Sequence, residues 1–318
     1  MALKRNRPSD EELKDLGFGS RVTENSPFRL LNRDGSFNVE RDGLPFLQSI
    51  HLYYSLLTMS WWRFYLTITT VYIFINVLFA LVFVFAGVPI DGATSVTIYG
   101  RFLEAFFFSV QTFTTVGYGR LSPIGVLGNI IASFDAFVGL ISFAIATGLL
   151  FARFSRPNAK ILFSEKAIIA PYKDITAFEF RMANVRSNQL VNIEVKVLFS
   201  ELHESGGKPR RSFHELPLER HKVNFLPLHL TVVHPIEKGS PLSGLKMQDL
   251  EKSDAEFLVL ISAFDETFSQ TVHTRTSYKF SEIVWGVKFS DMFQYSGNGV
   301  VRVDLKRIHD FESMTVQS

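Results

Sequence analysis

Residues 64–86 carry no charged side chain. At 1.5 Å per residue, a helix of this length reaches roughly 35 Å, enough for a hydrocarbon core of roughly 30 Å. The stretch is therefore read as a transmembrane helix, ended by Gly87, Pro89, Asp91 and Gly92. A second span is read at residues 125–152, whose one charge is Asp135. A carboxylate near a helix centre costs about 2.5–3.5 kcal/mol on insertion scales, and each Leu, Ile, Phe or Val returns about 0.3–0.6. The span can carry one such residue, and Asp135 is expected to face protein rather than lipid. The 318 residues allow about two domains. With 47% hydrophobic residues, 32 Phe among them, and 20% charged, the chain is too apolar for an ordinary soluble pair.

Between the spans, residues 102–114 form an apolar stretch of about a dozen residues. This is too short to cross and fits a re-entrant pore helix. Such a helix aims the negative end of its dipole at the membrane centre, where it stabilises a cation. Thr115-Val116-Gly117-Tyr118-Gly119 follows directly. Glycine permits positive φ, and alternating backbone hands turn successive carbonyls to one side. Four such loops around an axis stack rings of oxygens that replace an ion's hydration shell. The pentapeptide is identical to that of potassium-channel selectivity filters. Non-helical backbone at this depth is allowed only where it lines a cavity or is buried in protein.

Residues 1–43, charged and rich in Gly and Pro, read as an irregular cytoplasmic arm with a short strand near residues 29–32 and no secretory signal. Residues 44–60 read as an amphipathic helix in the membrane interface, with Leu47, Ile50, Tyr54 and Leu57 near helical spacing. Trp61 and Trp62 beside Arg63 anchor the first span within a pore region at residues 61–157. Arg153, Arg156 and Lys160 follow the second span, and Arg41 and Arg63 precede the first. By the positive-inside rule both termini are cytoplasmic.

Residues 158–318 read as β-structure. Val191, Ile193, Val195, Val197 and Phe199 alternate with Asn192, Glu194, Lys196 and Leu198, and Val301, Val303 and Leu305 with Arg302 and Asp304. Further strand-like runs lie at 225–234, 256–263 and 270–280, separated by Gly-rich turns. Many short strands with no long helical pattern indicate a β-sandwich.

Several classes are excluded. Net charge +2 gives no nucleic-acid footprint. No cysteine is present, so there is no disulfide framework or thiolate site. The eight His show no metal-ligand spacing, and no nucleophile–base constellation marks an enzyme. No cofactor is expected beyond K⁺ as the permeant ion. His51, on the interfacial helix, is a candidate for pH sensitivity.

Span, re-entrant helix, filter, span and β-sandwich resemble an inward-rectifier potassium channel. The resemblance rests also on Ala152-Arg153-Phe154-Ser155-Arg156-Pro157, on His234-Pro235-Ile236 with Ser240-Pro241-Leu242, and on Arg275-Thr276-Ser277-Tyr278 before Glu282-Ile283-Val284-Trp285-Gly286. The absence of cysteines points to the bacterial (KirBac-type) branch. The fold implied is a membrane α unit, two transmembrane helices plus a pore helix, with a C-terminal all-β, immunoglobulin-like cytoplasmic domain. The resemblance implies a homotetramer in the bacterial inner membrane, passing K⁺ through carbonyls of Thr115, Val116, Gly117 and Tyr118, with Gly119 closing the filter. Gln111 stands where similar channels often carry a bracing Glu, and Asp135 is read as a further filter support. Phe143, Thr147 and Phe151 share a face implied to line cavity and gate. Gly139 and Gly148 either hinge the inner helix or allow close packing. Arg63, Arg153, Arg156 and Lys160 are placed to meet anionic, phosphoinositide-like headgroups. The alternatives are a weakly selective cation channel, because the filter brace departs from the family, or a transporter subunit with a filter-like loop.

Strong rectifiers of this family resemble one another in an acidic residue fourteen positions before the closing Pro, where it holds Mg²⁺ or polyamine blockers. Here that position is Phe143. Weak block by spermine is therefore expected. Phe143→Asp should make block rise steeply with depolarisation, because carboxylates around a low-dielectric cavity attract a polyvalent cation strongly. Strong block already present in the parent channel and abolished by Asp135→Asn would place the cavity charge at Asp135 instead.

Overall fold

A computed structural model describes residues 29–38, 52–155, 160–186, 188–205, 208–226, 229–295 and 301–313. The chain forms two compact units, one of Asp42–Arg156, the other of Met1–Arg41 with Pro157–Ser318.

The first unit is helical. α1 (Leu52–Thr58) covers the described part of the expected interfacial helix; residues 44–51, His51 included, lie outside the described residues. α2 (Trp61–Phe85) and α4 (Gly125–Phe154) are the two described helices long and apolar enough to cross a membrane. α2 stops at Gly87, whose φ of +63° suits a glycine. Its N–H bonds Val84 O and that of Val88 bonds Phe83 O, closing the last turn on itself. Between the spans lie β1 (Ile90–Asp91), α3 (Ile98–Phe113) and β2 (Ser122–Pro123), with β1 and β2 paired antiparallel. α3 starts four residues earlier than the apolar run suggested. Thr97 caps it, its hydroxyl accepting the N–H of Gly100 at 3.2 Å. Arg101 and Glu104 interrupt the apolar pattern there. Glu104 secures the preceding loop by accepting the N–H groups of Thr94 (2.8 Å) and Ser95 (3.3 Å). At 16 residues, or roughly 24 Å, α3 still cannot cross. α2 meets α3 through the edge-to-face pair Phe83–Phe108, centroids 5.3 Å apart, with Ala80 and Ala105 allowing close approach.

The second unit is a sandwich of two five-stranded sheets. Its strands begin with β3 (Ile161–Phe163), β4 (Ala167–Tyr172), β5 (Ile175–Asn184), β6 (Leu190–Ser205), β7 (Lys208–Glu215), β8 (Lys222–Phe225) and β9 (His229–Pro235). After the short α5 (Met247–Lys252) come β10 (Glu256–Asp265), β11 (Gln270–Lys279) and β12 (Ile283–Trp285). One sheet runs β11-β10-β6-β7 with β8 also on β6; the other runs β12-β4-β5-β3 with β9 also on β5. Ile193, Val195, Val197 and Phe199 of β6 are buried in the core between the sheets, but the alternation breaks at Asn192, whose φ is +50°, so Leu190 rather than Val191 joins that core. Phe178 of β5 stacks on Phe257 of β10, centroids 4.3 Å apart, joining the two sheets at the centre of the core.

Three expectations are corrected in detail. Residues 225–234 are not one strand but the end of β8 and most of β9. Leu305 opens a 3₁₀ turn capped by the Asp304 side chain, instead of continuing the strand Val301–Val303. The segment at residues 29–32 makes one bridge, Leu31 to Phe37, rather than a strand of a sheet. It docks on the sandwich: Leu30 and Leu31 cover Leu198, Phe213 and Leu258, and their N–H groups bond the buried Glu256 carboxylate at 2.9 and 3.2 Å. Leu198, which alternation assigns to the solvent face of β6, is buried beneath them.

His234 explains one family motif. Its Nδ1–H donates to Pro217 O (2.6 Å) and its Nε2 accepts from the Ser240 hydroxyl (2.7 Å), so the ring is neutral with a fixed tautomer. Burial holds its pKa below the usual histidine value. The unfolded chain then binds more protons than the folded one, so this stability is complete above about pH 6.5 and is lost as pH falls. Protection of amides 216–219 and 240–242 in the full chain, corrected for the intrinsic pH dependence of exchange, should fall below that pH. His234→Gln should remove the pH dependence while raising exchange at all pH values.

Candidate functional site

The loop after α3 has the alternation that the glycines suggested, extended by one residue. Thr115, Gly117 and Gly119 have φ of +60°, +51° and +75°, while Val116 and Tyr118 lie outside the left-handed region. The N–H of Thr115 bonds Thr112 O (3.1 Å), and those of Val116 and Gly117 bond Gln111 O (2.9 and 3.3 Å). Three amide donors thus turn back onto the end of α3. Among the described residues, the carbonyls of Thr115, Val116, Gly117 and Tyr118 accept no backbone hydrogen bond. All four residues are exposed. Gln111 holds the loop through its backbone carbonyl.

The outer end of the loop is held separately. β1 and β2 pair across it, and Gly92 passes so near that a Cβ there would collide with Arg120 O. Behind α3, Asn76 of α2, Ser109 of α3 and Asp135 of α4 are all fully buried. Asp135 therefore faces protein, as expected. Ser109 donates to Asn76 Oδ1 at 3.1 Å, and Asn76 Nδ2 donates to Tyr72 O at 2.8 Å. One turn along α4, Gly139 abuts the end of α3: a Cβ there would collide with Phe113 O. Of the two roles left open for Gly139, close packing is the one the geometry supports. Gly148 has open space around it, and a Cβ there would meet nothing within 4 Å among the described residues. Phe143, Thr147 and Phe151 are exposed on the single chain.

Arg153 is engaged within the helical unit. Its Nη1 and Nη2 donate to Leu56 O (2.5 Å) and Met59 O (2.7 Å), at the C-terminal end of α1. The guanidinium also packs on Trp61 and Phe64, 4.5 and 4.6 Å from the ring centroids. These contacts link α1, α2 and α4 through Arg153. Arg63 is exposed and lines a groove of about 450 Å³ with Ser55, Thr58, Met59, Leu66 and Thr67. Lys160 is exposed, and Arg156 lies outside the described residues.

Residues 161–318 match the inward rectifier potassium channel C-terminal domain, and residues 51–156 match the ion channel family. The chain is 40% identical over 285 residues to inward rectifier potassium channel Kirbac3.1 of Paramagnetospirillum magnetotacticum, covering 89% of this chain and 95% of that one. The chain belongs to the inward rectifier potassium channel family. It is a membrane channel subunit and not an enzyme. Inward rectifier potassium channel 4 of Mesocricetus auratus and that of Homo sapiens are each 29% identical over 226 residues, covering 65% of this chain and 49% of theirs.

Sequence reading of this inward rectifier missed Asn76, Ser109 and Glu104. Asn76 in an otherwise apolar span was the available signal, since a polar side chain in a membrane helix seeks a protein partner. The two glycines of α4 should respond differently to alanine. Gly139→Ala forces a methyl group into Phe113 and should lower stability by about 1–3 kcal/mol, the usual cost of overpacking. Gly148→Ala should be neutral or stabilise by up to about 1 kcal/mol. Thermal unfolding of both variants in detergent measures this.

Proposed function

We propose that four copies of this chain form a potassium-selective pore, with K⁺ passing down its gradient between carbonyls of Thr115, Val116, Gly117 and Tyr118. The observation that carries this reading is the run of carbonyls that accept no backbone hydrogen bond among the described residues, beside three amides already bonded to α3. One chain offers only one side of a coordination shell, so the loop needs symmetric copies to surround an ion. The β-sandwich is then cytoplasmic with both termini, and the membrane is the bacterial inner membrane. The exposed Phe143, Thr147 and Phe151 line the inner cavity, and Phe151 narrows it into a gate that closes by dewetting. Anionic lipid acts at the cytoplasmic face. Arg63 supports this, because its groove offers the hydroxyl of Ser55 beside a cation and a nearby Lys or Arg adds about 1 kcal/mol of attraction to an anionic surface. Arg156 and Lys160 add to it, and Arg153 transmits the position of α1 to the end of α4.

Gly117→Ala puts a side chain at a φ of +51°, where an L-residue is strained. In proteoliposomes it should lose rubidium uptake, or lose rubidium preference over Na⁺, while remaining a tetramer. Unchanged selectivity would remove the filter assignment. In the parent channel, uptake should differ between neutral vesicles and vesicles containing phosphoinositide, and Arg63→Gln should shrink that difference.

A further inference from the structure

The buried carboxyl of Asp135 lacks a hydrogen-bond partner among the described residues. Its side chain is 0% exposed, and neither oxygen receives a hydrogen bond. No Arg, Lys or His of the described residues pairs with it. Its polar neighbour is the Ser109 hydroxyl, and that hydroxyl's single proton is already given to Asn76. What Ser109 has left to offer is lone pairs. A carboxylate facing them would be a buried acceptor against an acceptor, which costs the full desolvation of both groups. A carboxylic acid would resolve the conflict, because its O–H can be given to Ser109 Oγ. The observed bonds from Ser109 to Asn76 and from Asn76 to Tyr72 O would then be extended by Asp135 into one chain of donors with a single direction, joining α4, α3 and α2.

We propose that Asp135 carries its proton and, with Ser109 and Asn76, forms a clasp that fixes the pore helix and so positions the selectivity filter. These are positioning residues: they act through α3, whose last carbonyls hold the filter amides. Ser109 lies two residues before Gln111 and three before Thr112, the residues that accept those amides. Apolar contacts alone leave a helix free to slide or rotate slightly about its axis. A directed hydrogen-bond chain to two flanking helices removes that freedom. The inference rests on the filter reading and deepens it.

The test compares Asp135→Asn, Asp135→Leu and Ser109→Ala in the full-length channel. Asn presents an N–H donor to Ser109 without needing a proton. It should keep rubidium-over-Na⁺ preference within about twofold of the parent. Asp135→Leu and Ser109→Ala should each lower that preference by about tenfold with the tetramer intact, and the double variant should lose no more than either alone. Preference unchanged in both Asp135→Leu and Ser109→Ala, or equal losses in Asp135→Asn and Asp135→Leu, would overturn the clasp. A second readout does not depend on conduction. Infrared difference spectra of parent minus Asp135→Asn should contain a protonated-carboxyl C=O band near neutral pH, and a carboxylate band in its place would refute the proposal. A parent channel that fails to prefer rubidium would count against the filter reading, while the infrared result would still decide the proton.

Discussion

The loop after α3 depends on where the last carbonyls of one short helix point. Gln111 and Thr112 accept three filter amides between them, and this fixes which way the loop's own carbonyls face. Backbone groups in a membrane cannot turn to water for partners, so a loop at this depth must find partners for its N–H groups within the protein. It does so by folding back onto α3. Four further features hold that helix and its loop: Phe83 against Phe108, the Gly139 contact with Phe113, the strand pair at the outer end, and the short chain of polar groups behind.

Much of this was legible in the residues themselves. Two apolar stretches of sufficient length gave the spans, because a bilayer is the environment that matches so much apolar surface on a single helix. The pentapeptide gave the alternation at Gly117 and Gly119 through the conformational freedom of glycine. Other parts were not legible. Thr115 shares the positive φ although it is branched at Cβ, and no propensity argument selects such a residue for that region. Arg153 looked like a cation free to meet lipid, since its neighbours in sequence are basic. Its partners, Leu56 and Met59, are main-chain carbonyls roughly a hundred residues away, and any residue type could have supplied them. Glu104 read as an interruption of an apolar run because the bonds it makes lie outside the helix it belongs to.

The β-unit divides in the same way. Period-two alternation in β6 predicted its inward face from Ile193 to Phe199 and failed at Val191, because the left-handed backbone at Asn192 breaks the pleat. It misjudged Leu198, because the N-terminal segment that covers this residue is distant in sequence and short. The motif pairing His234 with Ser240 was visible as a family likeness, but its reason is chemical. A buried imidazole needs one acceptor and one donor, and Pro217 O and the Ser240 hydroxyl supply them. A proline carbonyl can only accept, so the tautomer has no second choice.

The left-handed backbone at Thr115 has a wider consequence. Holding a non-glycine residue there costs roughly 1–2 kcal/mol, and a strained conformation persists only where its surroundings over-determine it. The bonds to α3 provide part of that restraint. In the proposed pore, the rest would fall to the cation that the aligned oxygens coordinate. The passage would then also be a receptor, its permeating species a ligand that helps maintain the shape of its own binding site. Conduction and folding of this loop would be linked equilibria, so that depleting the ion on both sides would withdraw stabilisation from the loop as well as current from the pore.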